Sequence, residues 1–286
     1  MTVSKRTYGV GKRSEQWVLV LGCSSGTGAA VCRAAADAGY NVYGCHRGRH
    51  QEGADAIEAY VTIRGRRVII RKGDAAGNDL VQAAAQDIRA QIGPNKVVLI
   101  VHAIANASLG QFVSKGAMGR IQPHQFQKTF DCMAHSFAYW GQAAVDEELL
   151  APGGMLLGLT NPFTNQVTNQ FGLIAAAKAA LTMYVRYLAY EMAPLGYRVN
   201  LLNFGLVETA AMRLTLPDEL WNLVHDRIAR VTPYGRIANC DEVAAFIVTL
   251  LEQPAHWFNG AVIDFTGGQT DSLLSRYFNE PAGTTL

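Results

Sequence analysis

Apolar runs of about five residues alternate with helical patterns along nearly the whole chain. WVLVL (17–21) leads into GAAVCRAAADAG, NVYGC (41–45) into GADAIEAYVTIRG, and RRVII (66–70) into DLVQAAAQDIRAQIG. KVVLIVHAIA (96–105) precedes a helical stretch over 124–150, GMLLGLT (154–160) a long helix over 171–193, and YRVNLLNFG (197–205) a helical segment around 217–230. EVAAFIVTLLEQ reads as a last helix and GAVIDF (260–265) as a last strand. Continuously apolar strands alternating with helices describe a parallel sheet covered on both faces. The pattern predicts an α/β chain: one doubly wound domain with a seven-stranded parallel sheet over 16–270. A polar, basic N-terminal arm (1–15) and a C-terminal tail (271–286) flank it. No internal repeat, low-complexity stretch or Pro/Ser-rich linker divides it.

Composition adds limits rather than detail. The 286 residues are 49% hydrophobic and 17% charged, enough apolar material for a large core. Basic residues number 25 against 23 acidic, which gives no reason to expect nucleic acid or an anionic membrane as partner. Five scattered cysteines without a CxxC pair indicate neither a disulfide framework nor a metal site, and point to a reducing compartment. The N-terminal sequence lacks the apolar core of a secretory signal, and no apolar stretch reaches the roughly 20 residues of a membrane span. The expected location is cytoplasmic.

The first strand ends in LGCSSGTGAAVC, with Gly22, Gly26 and Gly28 spaced GxxxGxG and Ser24, Ser25 and Thr27 between them. Small residues between a strand and a helix let a pyrophosphate approach the backbone, and the helix N-terminus offers free N–H groups and a positive dipole end. This predicts a Rossmann-type dinucleotide site. After the second strand, where a carboxylate would accept bonds from the adenosine ribose, stand His46, Arg47 and Arg49. Cationic side chains would pair with a 2′-phosphate, which favours NADPH over NADH; a solvated basic loop is the alternative. Asp74, after the third strand, sits where it would bond the adenine amino group or cap the helix at 79–92.

With these residues in place the chain resembles the short-chain dehydrogenase/reductase family over roughly 15–270, and within it the enoyl-acyl-carrier-protein reductase branch. VHAIANA (101–107) looks like the branch's VHSIGFA, which implies that Ala103, Ile104 and Ala105 line the cofactor, with Asn106 beside the substrate. FDCMAHSFAYWGQAA (130–144) looks like the branch's HDISSYSF helix, with His135 in place of a tyrosine. FGLIAAAKAALTMYVRYLAYEMAPLGYRVNLLNFGLVETAAM (171–212) is similar to the pattern Tyr-x6-Lys followed by VRVNAISAGPIRT. The likeness implies cofactor contacts from Gly205, Val207 and Thr209. TPYGRIANCDEVAAFIVTLL and VIDFTGGQ match the family's C-terminal pattern.

The departures bear on the reaction. The tyrosine lies four residues before the lysine in the general family and seven before it in the enoyl branch; those positions hold Ile174 and Phe171. The position seventeen before Lys178 is Asn161, the proline of GPIRT is Leu206, and the family's helix asparagine is Cys132. Neither Phe171 nor Ile174 can donate a proton, so reduction of a simple carbonyl, which protonates an alkoxide as it forms, is disfavoured. Reduction of a conjugated C=C bond places charge on a carbonyl oxygen, where any well-aimed donor serves. Asn161 is the first candidate donor, with Thr164, Asn165, Asn169 and His135 behind it. Lys178, set among alanines, would reach the nicotinamide ribose hydroxyls.

Phe171 would pack beside the nicotinamide or an apolar acyl chain. By family position, 206–228 would form a mobile flap whose apolar underside comprises Leu206, Met212, Leu214, Leu216, Leu220 and Trp221. That lining suits a hydrophobic or cyclic acyl thioester on coenzyme A or an acyl carrier protein. Phe137, Tyr139, Trp140, Leu181, Tyr184, Tyr187 and Leu188 lie on the two helices that carry the family's dimer and tetramer contacts, so a homotetramer or homodimer is expected. Two alternatives stand beside the enoyl-thioester reductase: a catalytically silent dinucleotide-binding homologue, and a ketoreductase with a substituted acid.

Overall fold

A computed structural model of the chain describes residues 11–115, 119–162, 167, 169–207, 209 and 218–269. Each of the seven apolar runs forms a strand: β1 (Trp17–Leu21), β2 (Asn41–His46), β3 (Val68–Lys72), β4 (Val97–His102), β5 (Leu150–Thr160), β6 (Arg198–Asn203) and β7 (Val262–Asp264). They make one sheet in the order β3-β2-β1-β4-β5-β6-β7, with every neighbouring pair parallel. β1 is buried along its whole length because both of its faces are covered. Trp17, Leu19 and Leu21 pack with α3 (Asn78–Ile92), α5 (Ser136–Asp146) and α6 (Gly172–Met192). Val18 and Val20 face the other way, onto α1 (Gly26–Asp37), α2 (Gln51–Ile63) and the helix Cys240–Thr249, here α8. α7 (Asp218–Val231) lies between β6 and α8 in sequence.

The helical stretch expected over 124–150 is shorter and interrupted. α4 (Pro123–Phe130) passes through a π-helical turn at Asp131–His135 into α5, which ends at Asp146. Glu148 then turns the chain with a positive φ of 48°, and Leu150 already pairs with Val97 of β4. The residues Phe137, Trp140 and Leu181, expected at subunit contacts, are fully buried within the protomer. Trp140 donates its indole N–H to the Ala75 carbonyl at 2.9 Å. Residues 11–15 of the arm lie against the body, where Arg13 pairs with Glu252 at 2.6 Å. No described helix is long and apolar enough to cross a membrane.

β1 lies between β2 and β4, so the chain leaves it in one direction along the sheet and later returns on its other side. In such sheets the crevice opens outside the carboxyl ends of the strands at this reversal. The ends of β1 and β4 hold Gly22 and Ala103.

Candidate active site

The glycine loop is built for close backbone approach. Gly22 has φ +97°, and a Cβ there would lie 2.6 Å from the Ala103 carbonyl oxygen. A Cβ on Gly28 would lie 2.1 Å from the Gly22 oxygen, so only glycine lets α1 pack this close to the loop. Gly26 opens α1, and its missing Cβ would stand 3.3 Å from Thr209 Cγ2, which places Thr209 against the loop. Ser25 is the N-cap of α1 but its side chain makes no capping bond, and the first turn carries no acidic residue. Free N–H groups and the positive dipole end thus face the cradle, an arrangement that fits a pyrophosphate. Thr27 is buried, with Oγ1 3.7 Å from Cys240 Sγ. Ser24 supplies the carbonyl against which Gly53 of α2 packs; a Cβ on Gly53 would fall 2.1 Å from it. Ala103 donates its N–H to Leu21 O at 2.9 Å, and Ile104 and Ala105 follow.

At the carboxyl end of β2 the residues divide differently from the sequence expectation. His46 is buried, and its Nδ1 accepts the Gly48 N–H at 3.2 Å. Burial, then the nearby Lys72 charge, pushes its pKa down, so His46 holds the loop rather than presenting a cation. Arg47 is half-buried and Arg49 exposed. Asp74 accepts the Ala76 N–H at 3.1 Å in a local turn; the N-cap of α3 is Gly77, so Asp74 does not cap that helix.

The end of β5 gathers the residues proposed for chemistry. Lys178 is 5% exposed, and its Nζ donates to the Leu159 carbonyl oxygen at 2.6 Å. Burial lowers its pKa to about 8. Asn161 follows the last residue of β5 and is half-buried. Phe171 is the N-cap of α6, also half-buried. Ile174 packs with Ala76, Cys132, Met133 and Ala177, forming an apolar wall under the site. Asn106 points its Nδ2 at Cys132 Sγ, 3.8 Å away. Beside Phe171 an open groove of about 420 Å³ is lined by Phe112, Val113, Val167, Gly172 and Ala175 among others. Asn169 is exposed. Thr164, Asn165, Met212, Leu214 and Leu216 lie outside the described residues, as does the side chain of Leu220.

His135 is drawn elsewhere. Its Nδ1 lies 3.0 Å from the Tyr184 hydroxyl, and its ring neighbours are Phe130, Tyr139 and Tyr184. A different histidine lies buried at the end of β4. His102 ends β4 with 1% exposure, and its Nε2 lies 2.8 Å from Ser136 Oγ. Ser136 gives its one proton to the Cys132 carbonyl in the π turn at 3.1 Å, so Nε2 of His102 must be the donor to Ser136. Nδ1 is then a buried lone pair without a hydrogen-bond partner among the described residues. Burial, with the Lys178 charge, lowers the His102 pKa to about 3. Sequence reading missed this His102–Ser136–Cys132 chain; a π turn is its one local signal, since such turns cluster at functional sites.

After β6 the chain turns at Gly205, with φ +73°. The Leu206 N–H donates to Gln269 Oε1 at 2.9 Å, so the C-terminal GGQ segment fixes this loop. Leu206 and Val207 are buried, Val207 within the core beside α1. Trp221 is 1% exposed, with its ring 6.1 Å from His225.

The model of a family described as enoyl-(acyl carrier protein) reductase matches residues 22–270. An NADH-dependent enoyl-[acyl-carrier-protein] reductase of Aquifex aeolicus is 28% identical over 79% of this chain and 85% of its own. A 3-oxoacyl-[acyl-carrier-protein] reductase of Escherichia coli is 24% identical over 87% of this chain and 95% of its own. A short-chain dehydrogenase of Burkholderia cenocepacia, solved in complex with NADP, has the same fold. Its TM-score is 0.75 at 23% identity, over 91% of this chain and 99% of that one.

Proposed function

The chain belongs to the short-chain dehydrogenase/reductase family and is by that membership a nicotinamide-dependent oxidoreductase; from this premise we propose that it is an NADPH-dependent reductase of the C=C bond of an α,β-unsaturated acyl thioester or a related conjugated acid. The observation that carries this reading is the pairing of a retained, buried Lys178 with a connection from β5 into the first half of α6 that has no phenol. From Thr160 to Met183 there is no tyrosine, and Ile174 and Phe171 stand at the two positions where the family resemblance puts one. When bound, the cofactor supplies a hydride. A protonated Lys178 has three N–H donors, and Leu159 O takes one, which leaves the others to orient the ribose hydroxyls. Asn161 would hold the thioester oxygen as negative charge develops on it, and the α-carbon proton would come from water. The groove beside Phe171 offers an apolar wall to the acyl chain, whether on coenzyme A or a carrier protein.

The basic loop after β2 supports NADPH over NADH. For assembly, Met183, Tyr187 and Tyr190 are exposed along α6, at 47%, 64% and 82%, and their apolar area supports a homotetramer or homodimer.

The test is loss of reduced-cofactor absorbance with a crotonyl thioester against a β-keto thioester. Consumption with the enoyl substrate supports the proposal. Consumption with the β-keto substrate alone makes the protein a ketoreductase, and cofactor binding without turnover on a broad enoyl panel makes it a silent homologue.

A further inference from the structure

At the carboxyl edge of the sheet Lys72 lies across a glycine that two arginines flank in sequence. Arg47 and Arg49 flank Gly48 in sequence, and Lys72, the last residue of β3, pairs in register with His46. The Gly73 N–H donates to His46 O at 2.8 Å, which fixes the end of β3 beside this loop. The lysine stem lies across Gly48, since a Cβ there would stand 2.4 Å from Lys72 Cε and 3.1 Å from its Nζ. Gly48 has φ +83°, so it supplies both the turn and the room for the stem.

Charge pairing sets these three apart from their neighbours. Arg71 pairs with Asp87 and Arg64 with Asp37, and Asp55 of α2 accepts from Gln51. Arg47, Arg49 and Lys72 make no ion pair among the described residues. Cations that no carboxylate engages at ion-pair distance remain available to a doubly charged anion. His46, neutral and turned inward, cannot be the third cation.

The geometry points to Lys72 as a specificity-determining residue that completes, with Arg47 and Arg49, a site for the 2′-phosphate of the dinucleotide. The assignment rests on the NADPH reading. Its edge position suits the task, because a lysine at the end of β3 reaches the same crevice as the loop after β2. A charge-assisted bond at an exposed position supports about a tenfold effect on affinity.

The experiment is calorimetric binding of adenosine 2′,5′-bisphosphate and of adenosine 5′-monophosphate to the wild-type protein and to Lys72→Met, Lys72→Arg and Arg47→Met. The expected result is wild-type preference for the bisphosphate, an about tenfold loss of that preference in K72M, and retention in K72R. If K72M keeps the full preference while R47M loses it, Lys72 is not part of the site and the NADPH reading stands. Equal weakening of both ligands in K72M shows that Lys72 only shapes the loop, which also overturns the assignment. If the wild-type protein does not distinguish the two ligands, both the assignment and the NADPH reading fail.

Discussion

Replacing Lys178 by methionine should stabilise the protein at neutral pH and lose that advantage in alkali. The lysine is 5% exposed and its pKa falls from 10.5 to about 8 through burial. A shift of that size corresponds to about 3 kcal/mol of unfavourable charge burial. Because folding lowers the pKa of a cationic group, the unfolded chain binds more protons between about pH 8 and about pH 10.5. Stability contributed by this site therefore rises with pH across that window. The penalty is full below about pH 8 and is reduced to about 1 kcal/mol by about pH 9.5. Methionine removes the charge but forfeits the 2.6 Å bond to Leu159 O, a loss of about 1 kcal/mol. The variant should thus be about 2 kcal/mol more stable than wild type near pH 7 and nearly equal near pH 9.5. Urea unfolding of both proteins at the two pH values measures this, with other titrating groups cancelling in the difference. A stability difference that does not change with pH would refute the reasoning, since it would mean that Lys178 does not lose its proton on the folded protein in this range. The same variant should lose turnover, so a stabilised and inactive protein is the joint expectation.

Asn161→Ala should lower kcat with an enoyl thioester about 100–1,000-fold, the usual effect of removing one oxyanion donor, while cofactor affinity measured by calorimetry changes little. Unchanged kcat would remove Asn161 from the chemistry. Gly28→Ala should abolish dinucleotide binding, because the added Cβ would lie 2.1 Å from the Gly22 oxygen; a normal thermal shift with NADPH would show that the loop yields instead. His102 should stay neutral with its proton on Nε2 throughout the physiological range, given a pKa of about 3. Nitrogen-15 NMR of the labelled ring checks this, and a resonance titrating near pH 6 would contradict it.

The fold was legible because its signal is local. Buried parallel strands must be apolar at successive positions, and WVLVL, VVLIVH and GMLLGLT are. Boundaries were less legible where the strands meet the site. β4 stops at His102 although the apolar run continues to Ala105, because Ala103 must turn over the glycine loop. The long helix expected over 124–150 concealed the π turn, since periodicity alone does not register one extra residue per turn.

Within the site, residues were legible when one position carried the reason and hidden when the reason lay across the sheet. Lys178 among alanines announced a buried amine, and Gly22 and Gly28 announced close approach, each from its own neighbourhood. His46 was read as a cation from its neighbours Arg47 and Arg49, but its burial follows from β1 and β3 on either side of β2. Lys72 was hidden by the same mechanism. The apolar run RRVII set β3 at 66–70, whereas register with β2 sets it at Val68–Lys72, pairing Val68 with Val42 and Lys72 with His46. A shift of two residues at an edge strand keeps every side chain on its original face, so the hydrophobic pattern does not resist it. What it changes is which residue ends the strand, and in this sheet strand ends are where ligands are met. The difference in extent leaves the core unaltered but makes Lys72, rather than Ile70, the last residue of the strand. Strand ends in open α/β sheets are better placed by pairing with the neighbouring strand than by where hydrophobicity fades.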